Sequence, residues 1–287
     1  MIRIVEVGPR DGLQNEFTTL PTSTKVALID ALSETGVAEI EASAFVAPKW
    51  VPQLADATEV FAAISRRPGV IYSALVPNEE GLDRALEARA DRIAVFTAAS
   101  ETFNRKNINA GIEESFERFE PVMKRAAAAK IPVRGYVSTA FWCPYQGPVA
   151  PEAVVPVARR LLEMGVYEVS IGDTIGKATT DEVRRVLDLL LPIIPASKLA
   201  MHFHDTYRHA SDNVRVSYEM GIRAFDSSIG GLGGCPYAPS ASGNIPTETL
   251  VATLMKLGAD PGIDSNALDR ARNLAAKALG RSLPPTA

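Results

Sequence analysis

Two histidines separated by one residue are the sharpest chemical signal in the sequence. His202-Phe203-His204 ends an apolar run, and Asp205 follows directly. In a β-strand, positions i and i+2 point to the same side, so both imidazoles would project together, as a metal site requires. A lone histidine in such a strand is more often packed or hydrogen-bonded. A pair on one face beside an acid favours a metal site.

Oxygen ligands for the same ion are available elsewhere in the chain. Asp11 and the side-chain carbonyl of Asn244 are the candidates. A mixed nitrogen and oxygen set suits Mg²⁺ or Mn²⁺, and Zn²⁺ accepts the same donors. Taken alone, each residue fits a purely structural role equally well. Asp11 would form an Asx turn or cap a helix, and Asn244 would cap the turn-like segment 242–244.

The first strand candidate runs directly into a pair of opposite charges. After the apolar stretch IVEV and Gly-Pro come Arg10 and Asp11, Glu41 lies in the second strand candidate, and Asp173 follows the sixth. In a parallel barrel the carboxyl ends of all strands face the active site. We therefore expect these side chains to meet the two histidines there.

A cysteine in a glycine-rich segment is a candidate proton donor. Cys235 lies in GGLGGCPYA, residues 230–238, where four glycines favour a loop that closes over a substrate. A thiol in such a loop can donate or accept a proton. The other cysteine, Cys143, fits better as a small buried filler. The sequence has no Ser-His-Asp pattern and no phosphate-binding P-loop.

Short apolar runs alternate with helical patterns along the chain. The strand candidates are 2–7, 38–43, 70–76, 91–97, 132–138, 166–172, 199–204 and 224–229. Helical periodicity covers roughly 22–36, 53–66, 79–89, 112–129, 151–164, 180–191, 208–220 and 246–257. Eight β/α units predict a (β/α)8 TIM barrel, class α/β, with an additional C-terminal helix at 264–279. An open doubly wound sheet ranks lower, because its GxGxxG turn is missing after the first strand.

Composition limits the classes of function. The 287 residues carry a net charge of −4, with 46% hydrophobic and 22% charged. This balance builds no positive field for nucleic acid or an anionic membrane. The first residues lack the apolar core of a signal peptide, and no apolar run approaches the ~20 residues of a membrane span. We expect one domain over 1–287, soluble and cytoplasmic, with reduced cysteines and neither a nucleic-acid nor a membrane partner.

Six segments together resemble the 3-hydroxy-3-methylglutaryl-CoA lyase family. They are EVGPRDGLQNE (6–16), ASAFVAPKWVPQ (42–53), ASETFNRKNIN (99–109), GDTIG (172–176), HFHDTY (202–207) and GGLGGCPYAPSASGN (230–244). The resemblance runs from about residue 3 to 280, and several of the motifs are long enough to be specific. It implies a barrel that cleaves 3-hydroxy-3-methylglutaryl-CoA, an acyl-CoA substrate, to acetyl-CoA and acetoacetate. It also implies a homodimer.

The resemblance also implies roles for individual residues. The divalent cation would be held by Asp11, His202, His204 and Asn244. Arg10 would stabilise the enolate of acetyl-CoA and Cys235 would protonate it. Glu41 and Asp173 would support the site. The base for the tertiary hydroxyl stays open between Asp11, His202 and a hydroxyl linked to the metal. Arg10 and Asp11 would then serve the two ends of one breaking bond.

The chain departs from the family pattern near the expected acyl pocket. Arg208-His209 replaces the usual Gly-Gln, Ala44 stands where a hydroxyl residue is expected, and FWCPYQG (141–147) follows the fifth strand. Citramalyl-CoA or a longer-branched 3-hydroxy-3-acylglutaryl-CoA would use the same chemistry. A Claisen-type synthase of the same barrel class, and a barrel that binds CoA esters without catalysis, are the other interpretations. The cysteine loop favours the lyase, because cleavage requires a proton donor for the enolate.

Overall fold

Eight parallel strands close into a barrel in the computed structural model, which describes residues 1–16, 18–233 and 243–283. The barrel strands are β1 (Arg3–Glu6), β2 (Glu39–Ala44), β3 (Ile71–Leu75), β4 (Arg92–Ala98), β5 (Val133–Ser138), β8 (Glu168–Asp173), β9 (Leu199–Phe203) and β10 (Ala224–Ser227). A short antiparallel hairpin of β6 (Trp142–Cys143) and β7 (Gly147–Pro148) follows β5. The barrel is closed by pairing of β10 with β1. The predicted TIM barrel is therefore confirmed.

Helices follow the barrel strands and cover the outside of the barrel. They are α1 (Thr22–Ser33), α2 (Ala57–Ala63), α3 (Glu79–Glu87), α4 (Glu101–Ile108), α5 (Ile112–Ala128), α6 (Pro151–Glu163), α7 (Thr180–Leu190), α8 (Ala210–Glu219), α9 (Thr247–Lys256) and α10 (Ser265–Leu279). The predicted additional C-terminal helix is α10, which packs against α1. Within the described residues, no helix has both the length and the apolar character needed to cross a membrane.

Two helical expectations need correction. The single helix expected over 53–66 is a 3-10 turn, Pro52–Leu54, followed by the shorter α2. Asp56 precedes α2, but its carboxylate bonds to Thr22 and Lys25 rather than capping the helix. Helix α4 was not expected, because it buries only Phe103 and Asn104 and so shows little apolar periodicity. Its local signal is Ser100, whose hydroxyl accepts from the Phe103 N–H as an N-cap.

Ion pairs occupy part of the barrel interior. Arg134 on β5 donates to Glu168 on β8 at 2.8 Å and to Asp226 on β10 at 2.7 Å. Strands β5 and β10 are not neighbours in the sheet, so the contact between Arg134 and Asp226 crosses the lumen. Both side chains are at most 2% exposed. These charges lie directly below the polar residues at the carboxyl ends of the strands.

Candidate active site

A single π-helical turn, Gly8–Gly12, places the first two polar residues of the site. The Val7 carbonyl accepts from the Arg10 and Gly12 N–H groups, both at 3.1 Å. A Cβ at Gly8 would lie 2.6 Å from a Glu6 carboxylate oxygen, and one at Gly12 would lie 2.8 Å from Leu232. Because such contacts are too short for real Cβ atoms, the tight turn requires glycine at both positions.

Arg10 is held between two carboxylates. Its Nε donates to Glu41 Oε2 at 2.6 Å, and its Nη1 donates to Asp11 Oδ1 at 2.7 Å. The guanidinium carbon lies 5.7 Å from the centroid of the Tyr136 ring. Burial would lower the pKa of Arg10, but the Glu41 and Asp11 carboxylates outweigh it and raise that pKa above its ordinary value. The guanidinium therefore stays charged in a buried place.

Asp11, His202 and His204 converge on one point. Each offers a ligand atom, and these atoms lie within 4.8 Å of one another. Asp11 Oδ2 lies 3.9 Å from His202 Nε2 and 4.0 Å from His204 Nε2. Burial alone would raise the pKa of Asp11, but Arg10 and the two histidines lower it to about 2. Burial, with the neighbouring His202, lowers the pKa of His204 to about 4, so its imidazole is neutral near pH 7.

Asn244 adjoins this cluster and leaves a buried acceptor free. Its Nδ2 donates to Asp11 Oδ2 at 2.8 Å and to the Leu232 carbonyl at 3.2 Å. Among the described residues, neither Asn244 Oδ1 nor His204 Nδ1 has a hydrogen-bond partner, although both are buried. Buried polar atoms without partners are unusual and need an explanation. A carboxylate, two imidazoles and an amide oxygen fit a divalent cation.

Asp173 lies outside the three-residue cluster. It is fully buried, and its two oxygens accept from the N–H groups of Lys177 at 3.1 Å and Ala178 at 3.0 Å. Burial outweighs these bonds and raises the pKa of Asp173 to about 7. The turn that Asp173 holds packs closely against the backbone of His204, because a Cβ at Gly176 would lie 2.9 Å from the His204 carbonyl. Asp173 thus supports the backbone beside His204.

Three further residues bear on the predictions for the site: the candidate Cys235, and two residues that were not candidates. Cys235 lies outside the described residues. Tyr136 was not among the candidates, yet its hydroxyl accepts from Arg134 at 2.9 Å and donates to Glu41 at 3.4 Å. Asp226, which bonds to His202 at 3.2 Å, was missed as well. The available signal was the presence of polar residues inside strands that otherwise read as apolar on both faces.

A closed parallel barrel with a buried guanidinium and a carboxylate–bis-histidine cluster at its carboxyl ends defines a (β/α)8-barrel protein with a candidate metal centre.

Comparisons with known proteins identify the family. A family model described as HMGL-like matches residues 1–275. The mitochondrial hydroxymethylglutaryl-CoA lyase of Rattus norvegicus is 51% identical over 280 residues, covering 98% of this chain and 86% of the relative. The solved HMG-CoA lyase from Brucella melitensis has 52% identity and a TM-score of 0.95, over 96% of this chain and 98% of that chain.

An HMG-CoA lyase from Acinetobacter baumannii, solved in complex with coenzyme A and 3-methylmalate, is also similar. It has 38% identity and a TM-score of 0.94, over 99% of this chain and 93% of that chain. The chain belongs to the HMGL-like family.

Proposed function

We propose that the protein is a divalent-cation-dependent carbon–carbon lyase that cleaves 3-hydroxy-3-methylglutaryl-CoA to acetyl-CoA and acetoacetate. The observation that carries this proposal is the convergence of Asp11, His202 and His204 beside the buried Arg10, in a chain that is 51% identical to a hydroxymethylglutaryl-CoA lyase. The acyl-CoA substrate agrees with the coenzyme A bound in the similar Acinetobacter enzyme.

The reaction requires three changes in the substrate. A proton leaves the tertiary hydroxyl at C3, the C2–C3 bond breaks, and its electron pair moves into the thioester to form the enolate of acetyl-CoA. The enolate carbon then takes a proton, and acetoacetate leaves as the ketone. A bound divalent cation supplies Lewis-acid chemistry, which lowers the pKa of the tertiary hydroxyl.

Asp11, His202, His204 and Asn244 are the residues that would hold the cation. Asp11, with a pKa of about 2, is ionised at neutral pH and supplies negative charge, but it is a weak base. The low pKa of His204 keeps its lone pair available. This nitrogen and oxygen set favours Mg²⁺ or Mn²⁺, and Zn²⁺ accepts the same donors.

Arg10 acts on the other end of the breaking bond. Because Glu41 and Asp11 fix the guanidinium and keep it charged, it can stabilise the negative charge that develops on the thioester oxygen. Cys235, carried by the glycine-rich segment, is the proton donor to the enolate carbon. Glu41 therefore serves as the residue that orients Arg10, and Asp173 supports the turn beside His204.

Citramalyl-CoA, which the same chemistry would cleave, is a second candidate substrate, and Ala44 is a position where the chain departs from the family pattern near the expected acyl pocket. Ala44 is fully buried and packs in one apolar cluster with Tyr136, the residue beneath Arg10. At this position the family pattern has a hydroxyl residue, so the pocket near Tyr136 is more apolar here.

We also propose that the protein is a homodimer and that it acts in the cytoplasm. Light scattering would test the dimer, and cell fractionation would test the location.

The test is a coupled assay on purified protein with Mg²⁺ or Mn²⁺. It compares acetyl-CoA release from 3-hydroxy-3-methylglutaryl-CoA with release from citramalyl-CoA. Faster release from the first substrate supports the proposal. Release from citramalyl-CoA alone keeps the mechanism but moves the substrate, and release from neither overturns the proposed function.

A further inference from the structure

A buried carboxylate on β10 contacts the first histidine from below. Asp226 Oδ2 lies 3.2 Å from His202 Nδ1, and the Ser170 hydroxyl donates to the same oxygen at 2.8 Å. Asp226 Oδ1 accepts from Arg134 Nη2 at 2.7 Å. The side chain of Asp226 has no exposed surface. Each of these three contacts of the carboxylate is therefore with a group that donates or can donate a hydrogen bond.

The barrel register builds this contact. Asp226 and His202 are direct partners across the parallel pair of β10 and β9, and Gly172 on β8 is the partner of His202 on the other side. The position of the His202 ring is thus set by its own strand, β9, and by Asp226 on the neighbouring strand β10. Since the contact depends on neighbouring strands rather than on a loop, its geometry is fixed by the sheet.

Arg134 keeps the carboxylate charged. It donates Nε to Glu168, Nη1 to Tyr136 and Nη2 to Asp226, so all three guanidinium nitrogens have partners. Arg134 Nη2 and Asp226 Oδ1 form an ion pair at 2.7 Å, and both side chains are at most 2% exposed. An ionised carboxylate can only accept hydrogen bonds. His202 Nδ1 must therefore carry a proton when it bonds to Asp226.

We propose that Asp226 is a positioning residue: it fixes His202 in the tautomer with hydrogen on Nδ1, so that Nε2 presents its lone pair toward Asp11. The inference rests on the proposed function, because it assigns the free Nε2 to the divalent cation. It extends that function by making the interior pair of Asp226 and Arg134 part of the cation site. Carboxylates that orient a ligating histidine contribute about 10- to 100-fold in metal affinity.

The test compares two isosteric variants of buried carboxylates that share Arg134. In Asp226→Asn one carboxylate oxygen becomes an NH2 group. In one orientation of the amide this group faces Arg134, and in the other it faces Ser170 and His202 Nδ1. Glu168→Gln is the matched control, since Glu168 pairs with Arg134 and Arg3 but not with a histidine. Mn²⁺ affinity is measured by titration on full-length protein, with thermal melts to establish that each variant is folded.

We expect Asp226→Asn to weaken Mn²⁺ binding by about 10- to 100-fold, and Glu168→Gln to change it by less than about threefold. Equal Mn²⁺ affinities for Asp226→Asn and the unsubstituted protein would overturn the positioning role. If the unsubstituted protein itself binds no Mn²⁺, the proposed cation site fails instead, so the two failures are distinguishable.

A second measurement needs no substitution at Asp226. In ¹⁵N-histidine-labelled protein at pH 8 with Mg²⁺, two-bond nitrogen–proton correlations report the tautomer of His202, assigned by the signal lost in His202→Gln. A protonated Nδ1 and an unprotonated Nε2 support the proposal. A proton on Nε2 overturns it.

Discussion

Arg10, in the turn after β1, and Glu41, on β2, are joined by a 2.6 Å hydrogen bond from Nε to Oε2. The bond aims the guanidinium so that Nη1 still reaches Asp11 at 2.7 Å. Arg10 and Asp11 are thus an ion pair, and they also face different partners: Glu41 on one side and the two histidines on the other. In the proposed function, this one turn after β1 would supply both the cation-binding charge of Asp11 and the enolate-stabilising charge of Arg10.

Replacing Arg10 by lysine tests the enolate role. Lysine keeps the charge but cannot bridge Glu41 and Asp11 with a planar fork. We expect kcat to fall by about 10²- to 10³-fold with a smaller change in KM, as for loss of one oxyanion donor. Steady-state kinetics check this, with Arg125→Lys, a half-exposed arginine paired with Asp83, as control. Equal losses in kcat and in affinity would argue against the role.

Removing one imidazole tests whether Asp11, His202 and His204 form a cation site. His204→Ala deletes a ligand atom that lies 4.0 Å from Asp11, so Mn²⁺ affinity should fall by at least about tenfold. Calorimetric titration measures it. His209→Ala is the matched control, because His209 bonds to the Ala178 carbonyl and lies outside the cluster. Unchanged Mn²⁺ binding in His204→Ala would remove that residue from the ligand set.

Substituting the loop cysteine tests the proton donor. Cys235→Ser should lower kcat by about 10²- to 10⁴-fold, the range for loss of general acid catalysis, and leave Mn²⁺ affinity unchanged. Cys143→Ser is the control: Cys143 is buried and its sulfur accepts from the Ser100 hydroxyl at 3.1 Å. Full activity of Cys235→Ser would exclude the thiol as the acid.

A buried acid beneath the first turn makes stability depend on pH. Burial raises the pKa of Glu6 from 4.5 to about 7, against hydrogen bonds from Thr247, Ile229 and Gly8. Its contribution to stability is fully present below pH 4.5 and is lost as pH rises to about 7, because the folded state holds the proton more tightly.

Glu6→Gln removes this titration, and the Thr247 hydroxyl can turn to accept from the new amide. We expect its stability relative to the unsubstituted protein to improve by roughly 2 to 3 kcal/mol between pH 4.5 and 8. Urea unfolding at several pH values measures this difference. Glu59→Gln, an exposed site on α2, should show a flat profile. A flat profile for Glu6→Gln as well would contradict the raised pKa.

Arg208 has a strained backbone that a glycine would relieve. Its φ is +62°, in the left-handed region, which explains why the family pattern has glycine there. Relief of that strain, less the added freedom of the unfolded chain, predicts that Arg208→Gly stabilises by about 0.5 kcal/mol. Arg215→Gly, inside α8, should instead destabilise by about 1 kcal/mol. Thermal melts compare the two, and a loss of stability in Arg208→Gly would contradict the strain.

The strands could be predicted because each is a short apolar run between glycine-, proline- or polar-rich turns. The predicted strand 199–204 differs from β9 by one residue, and 91–97 from β4 by one residue at each end. Helices with a clear apolar face were equally predictable. Helix α4 could not be predicted, because two buried residues do not produce a helical hydrophobic period. The start of α2 was also mispredicted, because the Asp56 carboxylate bonds to Lys25 of α1, a contact that the local sequence does not show.

The converging ligands could also be predicted, because strand-end residues of a parallel barrel meet at one face. Contacts across the lumen could not. Arg134 and Asp226 are 92 positions apart and on strands that are not adjacent, so their pairing follows from barrel closure and not from any local pattern. Tyr136 reaches Glu41 for the same reason.

The most direct measurement is acetyl-CoA and acetoacetate release from 3-hydroxy-3-methylglutaryl-CoA by protein stripped with EDTA, before and after Mg²⁺ or Mn²⁺ is restored. We expect no turnover in the stripped protein, recovery on adding the cation, and equal amounts of the two products. Undiminished turnover in the stripped protein, or none after the cation is restored, would contradict a cation-dependent lyase.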